Sequence, residues 1–525
     1  VSSMRGNSSH QHNPFIALKR RDTTEQRGDA YGFSLIYSGN FLAQAEVDNY
    51  NVLRVMLGIN PFGFQWKLEP EDAFTTPEAI MVYSKEGLNG MSLQFHRLYR
   101  QRLARGYWRD RERPVLINNW EATQFDYVEE DLIKFAKKAK ECGIELFVLD
   151  DGWFGSRNND KSGLGDWKAN REKLPNGIEG LSEKIEELGM KFGLWFEPEM
   201  VNKDSDFYRS HPDYILQTPG RSASHGRNQF VLDFSRKEVV DAIYEQMHEL
   251  LTNAKISYIK WDMNRSISEC YSASYEADRQ GEIFHRYILG VYDLHERLIQ
   301  AFPKLLIESC SSGGGRFDAG MLYYAPQGWV SDDSDAVERL KIQYGTSFVY
   351  PLSSMGAHVS ACPNEQVGRI TPIETRGNVA CTGAFGYELD LNKLSEVEIE
   401  IVKKQVAFYK ENRGFLAKGD FYRLLSPFEG NFAAWEVVNP EGSKALITVT
   451  RMLSEINGPY RRLPLRGLIE NRKYHIQSKF LSYDAYGDEL MEYGLMLEDK
   501  SSGQIIDGSG GCKDFLSVMY EITAK

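Results

Sequence analysis

Short runs that are apolar on both faces, most of them ending in an acid and followed by an amphipathic stretch, recur between residues 114 and 412, and this recurrence limits the fold most. The runs are PVLINNWEA (114–122), IELFVLDDGWF (144–154), KFGLWFEPEM (191–200), QFVLDFS (229–235), ISYIKWDMN (256–264), LLIESCSSG (305–313) and GWVSDDS (328–334), with AFGYELDL (384–391) as an eighth. Strands buried on both faces of a parallel sheet read in this way. Eight such units over roughly 300 residues predict an α/β fold, a (β/α)8 TIM barrel. The rival, an open doubly wound sheet, would carry a GxGxxG after its first strand, and none is present. Between the first two runs a helix is predicted over about 127–142, with Val128, Leu132, Phe135, Ala136 and Ala139 on one face. Asp126 with Glu129 resembles a capping box, and Gly143 supplies the stop. Further helices are expected at about 178–189, 237–253, 281–301 and 395–412.

The flanks have a different texture. Residues 1–105 alternate as strands (FSLIYSG, NVLRVMLGI) and are expected to be the remnant of an N-terminal β-sandwich followed by a linking helix around Ser92–Arg105. Residues 106–415 form the predicted barrel. Residues 416–525, with FAAWEVV, KALITVT and KYHIQSK, are expected to form a C-terminal antiparallel β-sandwich.

Charge and cysteine usage exclude several classes. Lys plus Arg minus Asp plus Glu is 62 − 74 = −12 with no long basic run, a poor match for a phosphate backbone, so nucleic acid is not expected as a partner. The charge-free run from Tyr344 to Asn364 contains Pro351, His358, Cys362 and several serines, too polar to cross a bilayer. The first residues lack the apolar core of a signal peptide. Six cysteines are scattered without a CxxC, so neither a disulfide framework nor a zinc site is expected, and a reducing cytoplasm fits.

Polar residues close most of the runs: Trp120 and Glu121; Asp150, Asp151 and Trp153; Glu197 and Glu199; Asp233; Asp262 and Asn264; Glu308 and Cys310; Asp332, Asp333 and Asp335. In a barrel these ends converge on one face, where such folds place their active sites. Any one acid could simply cap a helix or turn a loop. Arriving in register at strand after strand, the set points to a shared mouth. Alternation along IKWDMN sends Lys260, Asp262 and Asn264 the same way, and a neighbouring ammonium keeps Asp262 ionised, as a nucleophile requires. A second acid from WVSDDSD would complete the two-carboxylate arrangement of glycoside hydrolysis. A metal-dependent hydrolase built from the same acids is the competitor, but the ten histidines are dispersed and form no HxH or HExxH.

The series VLDDGWFG, GLWFEPEM, IKWDMNRS, ESCSSGGGRFD and WVSDDSDA, in this order, with GNSSHQHNPF, GAHVSACPN and RGNVACTGAFGYELDL around it, resembles the retaining α-galactosidases of glycoside hydrolase family 36, in clan D. The resemblance implies Asp262 as nucleophile, forming a covalent galactosyl-enzyme, and Asp332 as general acid/base. It further implies Asp150 and Asp151 as the pair bonding the 4- and 6-hydroxyls, and Trp195 as an aromatic platform with Trp120 as a further wall. Arg227 and Lys260 match hydroxyl donors, and Asn264 and Cys310 line the region near O2. The glycines of SSGGGRF, Gly313 among them, let backbone approach the ring. The implied activity is removal of terminal α-1,6-galactose from melibiose- or raffinose-type oligosaccharides, with no cofactor and no metal. An α-N-acetylgalactosaminidase or galactosyl transferase of the same superfamily is the near alternative, and a non-catalytic galactose-binding fragment is the alternative of another class. One departure stands out. The family's large N-terminal sandwich is matched only by its last strands before Tyr99, and the chain starts at Val1, so a fragment of a longer chain is expected. A homo-oligomer is implied, a tetramer where the full N-terminal domain is present.

Overall fold

The computed structural model describes residues 1–454, 461–497 and 514–525. Its centre is a closed barrel of eight parallel strands: β1 (Leu116–Asn118), β2 (Leu146–Leu149), β3 (Lys191–Phe196), β4 (Ile256–Trp261), β5 (Leu306–Ser309), β6 (Gln327–Trp329), β7 (Met355–Ser360) and β8 (Ala384–Glu388). Each strand pairs with its sequence neighbours, and β8 closes on β1 through Gly386–Leu116 and Tyr387–Ile117.

Two expectations about the strands are corrected. QFVLDFS is not a barrel strand: Gln229–Val231 pairs antiparallel with Met200–Asn202 in a small ribbon after β3. Its continuous apolar character reflects burial of that ribbon, not a place in the barrel. The missing strand is MGAHVS, β7, buried throughout, in which Gly, Ala, His and Ser outnumber Met355 and Val359 and hide it from a search for runs of large apolar residues. The first barrel helix, Glu129–Glu141, buries Leu132, Phe135, Ala136 and Ala139 as expected. Val128 is instead its exposed N-cap, and Asp126 makes no capping bond. Three acids in the first turn and two lysines in the last complement the helix dipole.

Alternation within the strands sorts the barrel interior into levels. Leu116, Leu146, Val148, Tyr258 and Leu306 pack with Trp108 in a small apolar cluster of their own. Two residues further along the same strands come Asn118, Asp150, Lys260 and Glu308, and two further again along β4 and β5 come Asp262 and Cys310. The chain thus builds an apolar plug below a polar mouth by repeating one period-two pattern.

Around the barrel, strands Phe15–Lys19, Ala30–Ile36 and Glu78–Ser84 form an antiparallel sheet, and Phe41–Val47 pairs with Leu53–Ile59 as a hairpin. A helix at Gly87–Leu98, continued by Tyr99–Leu103, leads into the barrel and starts earlier than Ser92. The first residues reach the barrel mouth: Ser8 Oγ donates to Asp318 at 2.6 Å and Asn13 Nδ2 to the Phe317 carbonyl at 2.6 Å. After β8 a long helix, Glu396–Lys418, starts with a capping box between Ser395 and Glu398. It leads into a six-stranded antiparallel sheet with its own core, faced by the two-stranded pair Arg462–Leu463 and Leu495–Met496. Among the described residues no helix is long and apolar enough to cross a membrane, and Cys512 lies outside them.

Candidate active site

The strand ends open into one cavity of about 710 Å³, counted out to its open mouth, lined by Trp120, Glu121, Asp150, Asp151, Trp195, Arg227, Lys260, Asp262, Asn264, Trp329, Asp332, Gln366 and Glu388. Nine of the eleven residues expected from the sequence are therefore brought together here. Cys310 and Gly313 are not part of the lining. Cys310 is buried beside Asp262, its backbone N–H on the Trp261 carbonyl at 2.6 Å. Gly313 acts through its backbone: at φ +79°, an added Cβ would stand 2.4 Å from the Asp332 nitrogen, so only glycine lets the loop after β5 pass so close to that acid.

Asp262 follows directly on β4. Its Oδ1 accepts from the backbone N–H groups of Met263 (2.8 Å) and Ser312 (3.1 Å), and its Oδ2 from Asn264 Nδ2 (2.8 Å) and Trp195 Nε1 (3.2 Å). Burial opposes ionisation, but the charge of Lys260, the Cys310 thiol and Arg227 hold the carboxyl below its ordinary value. Asp332 is the converse. It opens to the cavity but has protein walls around it and one donor, Trp329 Nε1 at 3.1 Å. Burial, and then the charge of Asp262, push it up to about 6. Two aspartates in one cavity thus differ in proton preference: Asp262 gives up its proton readily and Asp332 holds its proton to higher pH.

The remaining polar groups are held rigidly. Asp150 Oδ2 accepts from Asn118 Nδ2 (2.6 Å) and Lys260 Nζ (2.9 Å). Burial raises it from its ordinary value against the pull of that lysine. Asp151 is clamped by Arg157 through Nε at 2.9 Å and Nη2 at 2.7 Å. Trp195 is buried with one edge on the cavity, stacked parallel to Phe154. Trp120 sits at the rim on a short helix, edge-on to Phe125. Arg227 stands in the left-handed region at φ +51° on an exposed loop and makes no hydrogen bond to the described residues. Its donors are free for a ligand.

Four lining residues were not among the expected site. Glu121 stands among the strand-end polar residues of the sequence without an assigned role, and Glu388, which closes the eighth strand, is reached by the same rule. Trp329 lies three residues before Asp332. Gln366 carried no signal, because it follows the strand hidden in the sequence. Other strand-end acids have structural duties. Asp335 caps the helix Ala336–Thr346 through the N–H groups of Val337 and Glu338. Asp233 binds Ser235 and Ser272. Glu308 accepts from Gln327 at 2.8 Å, and Glu199 pairs with Arg316. Trp153 is core, its Nε1 on the Trp195 carbonyl. Among the described residues no group of three His, Cys, Asp or Glu is arranged to hold a metal ion.

A small polar cavity at a barrel mouth, with one carboxyl held low and a second raised toward the proton-carrying form, is the equipment of a glycoside hydrolase. Comparison with known proteins agrees. The Melibiase family model matches residues 73–419, and the N- and C-terminal domain models of glycosyl hydrolase family 36 match 1–69 and 432–522. The chain is 55% identical over its whole length to α-galactosidase AgaA of Geobacillus stearothermophilus, spanning 70% of that protein, and 51% identical over 94% of its length to α-galactosidase Mel36A of Lactobacillus acidophilus, spanning 67%. The AgaA crystal structure superposes with a TM-score of 0.96, covering all of this chain and 71% of the other. The chain belongs to glycoside hydrolase family 36, among its α-galactosidases.

Proposed function

We propose that the chain is a retaining exo-α-galactosidase that removes terminal α-1,6-linked galactose from melibiose- and raffinose-type oligosaccharides. The observation that carries the reading is the pair Asp262 and Asp332 lining one cavity, the first held ionised by its donors and Lys260, the second shifted toward its protonated form. Asp262 attacks the anomeric carbon from the β face while Asp332 gives its proton to the departing glycosidic oxygen. Asp332, now ionised, takes a proton from water, and the resulting hydroxide displaces Asp262 and regenerates its carboxylate. Two inversions leave the configuration unchanged.

Asp150 and Asp151 accept from the 4- and 6-hydroxyls, and a sugar with an equatorial O4 would leave a buried acceptor unmatched, which is costly. Lys260 and Arg227 donate to hydroxyls, Trp195 carries the apolar face of the ring, Trp120 walls the rim, and Asn264 and the loop carrying Cys310 and Gly313 border O2. AgaA variants crystallised with raffinose and with stachyose support this substrate class. The scattered free cysteines support a reducing cytoplasm, and the family relationship supports a homo-oligomer. Proton NMR of freshly hydrolysed raffinose tests the stereochemistry: α-galactopyranose should appear first, and β-galactopyranose first would overturn the reading.

A further inference from the structure

Glu388 has no role in the mechanism above, yet it closes β8, lines the cavity and is buried. Its Oε2 accepts from His358 Nδ1, on β7, at 3.1 Å. That is the only hydrogen bond of the buried His358 ring to the described residues, since its Nε2 has no partner. The imidazole lies against the Trp329 indole, centroids 4.3 Å apart, and Trp329 Nε1 is the donor to Asp332. Arg339 holds the same indole, its guanidinium 4.2 Å from the ring centroid. Adjacent strands thus supply an unbroken series from Glu388 through His358 and Trp329 to Asp332.

We propose that Glu388 is a positioning residue for the acid/base step: it holds His358 by a hydrogen bond, and His358 braces the indole that aims Asp332. The inference rests on the assignment of Asp332 made above. The charges facing Asp332 are Asp262 and Lys260 from β4, Glu388 from β8 and Arg339 from the helix behind, with the Cys310 thiol nearby. Asp262 and Glu388 favour the proton on Asp332, and Lys260 and Arg339 oppose it. Glu388 itself faces Lys260, Asp150, Glu121, Glu365 and Arg339. Burial opposes its ionisation, but Lys260 and the His358 hydrogen bond hold it below its ordinary value.

The test is the pH profile of kcat/KM on raffinose, a substrate whose poor leaving group needs the proton. Removing the charge in Glu388→Gln should move the alkaline limb toward acid by about one pH unit, the scale of one charge across a partly screened pocket. Glu388→Asp, which keeps the charge, should restore most of the limb. His358→Gln, read in the same way, covers the case in which the first variant does not fold, and should move the limb in the same direction by less. A limb that stays in place in folded Glu388→Gln, or in His358→Gln, overturns the inference. Asp332→Ala separates this failure from that of the underlying reading. Rescue of Asp332→Ala by azide, giving α-galactosyl azide, upholds Asp332 as acid/base whatever Glu388 does, and wild-type activity in Asp332→Ala removes both.

Discussion

Glu197 and Glu199 follow the end of β3 two residues apart, both with no exposed surface, yet Glu197 bonds Asn264, a residue of the cavity wall, while Glu199 is sealed against Arg316, Trp261 and Tyr287. Glu199 has four donors: Arg316 through Nη1 and Nη2, Trp261 Nε1 and Tyr287 Oη, all within 2.9 Å. Burial works against its charge, but Arg316 and these hydrogen bonds hold it below the ordinary glutamate value. Glu197 has only neutral donors, the Asn264 amide and backbone N–H and Gln229 Nε2, and Asp262 is its neighbour. Burial and the Asp262 charge push it up to about 7. Equal burial therefore gives opposite proton preference, decided by whether a cation or another carboxylate stands alongside. The same rule separates Asp262, beside Lys260, from Asp332, whose first charged neighbour is the Asp262 carboxylate.

Three substitutions put this contrast at risk. The largest effect is expected from Asp262→Asn, which keeps the shape and removes the nucleophile: kcat on nitrophenyl α-galactoside should fall by roughly 10⁴-fold or more in a protein that remains folded by circular dichroism. Next is Glu199→Gln. Leaving Arg316 buried without its counter-charge should cost about 3–5 kcal/mol of stability at neutral pH, read as a lower thermal midpoint. The sign with pH follows from the lowered value of Glu199: its contribution is present above the unfolded glutamate pKa and is lost as pH falls through the folded one. The gap between variant and wild type should therefore narrow below about pH 4. The smallest effect is expected from Glu197→Gln. Its raised value means that its native carboxyl already favours the proton at acid pH, so stability should change by no more than about 1 kcal/mol. Without its charge Asp262 ionises more readily, so the acid limb of kcat/KM should move to lower pH. Equal destabilisation by Glu197→Gln and Glu199→Gln would erase the distinction.

Much of this arrangement was legible in the sequence because one pattern encodes both fold and site. Period-two alternation that puts Leu146 and Val148 in the plug delivers Asp150 to the mouth, and Tyr258 leads to Lys260 and Asp262 in the same way. The pattern failed where burial is achieved without large apolar groups. The Gly, Ala, His and Ser of β7 are packed by close approach of backbone, and with that strand unseen, His358 and Gln366 had no place. It also failed where a run is apolar for another reason, as at Gln229–Val231 in its ribbon. Glu388 was reachable by the same strand-end rule. What no pattern carries is which acid meets a cation, since Arg316 is 117 positions from Glu199 in the chain.

The central claim, that Asp262 carries the sugar while Asp332 shuttles the proton, is tested most directly by trapping. The wild-type protein would be incubated with a 2-fluoro galactosyl donor bearing an activated leaving group, digested and mapped by mass spectrometry. One fluorogalactosyl adduct on the peptide containing Ile259–Arg265, fragmenting at Asp262, is the predicted result. Clean turnover with the label on another carboxylate, or inactivation with Asp262 unmodified, would contradict it.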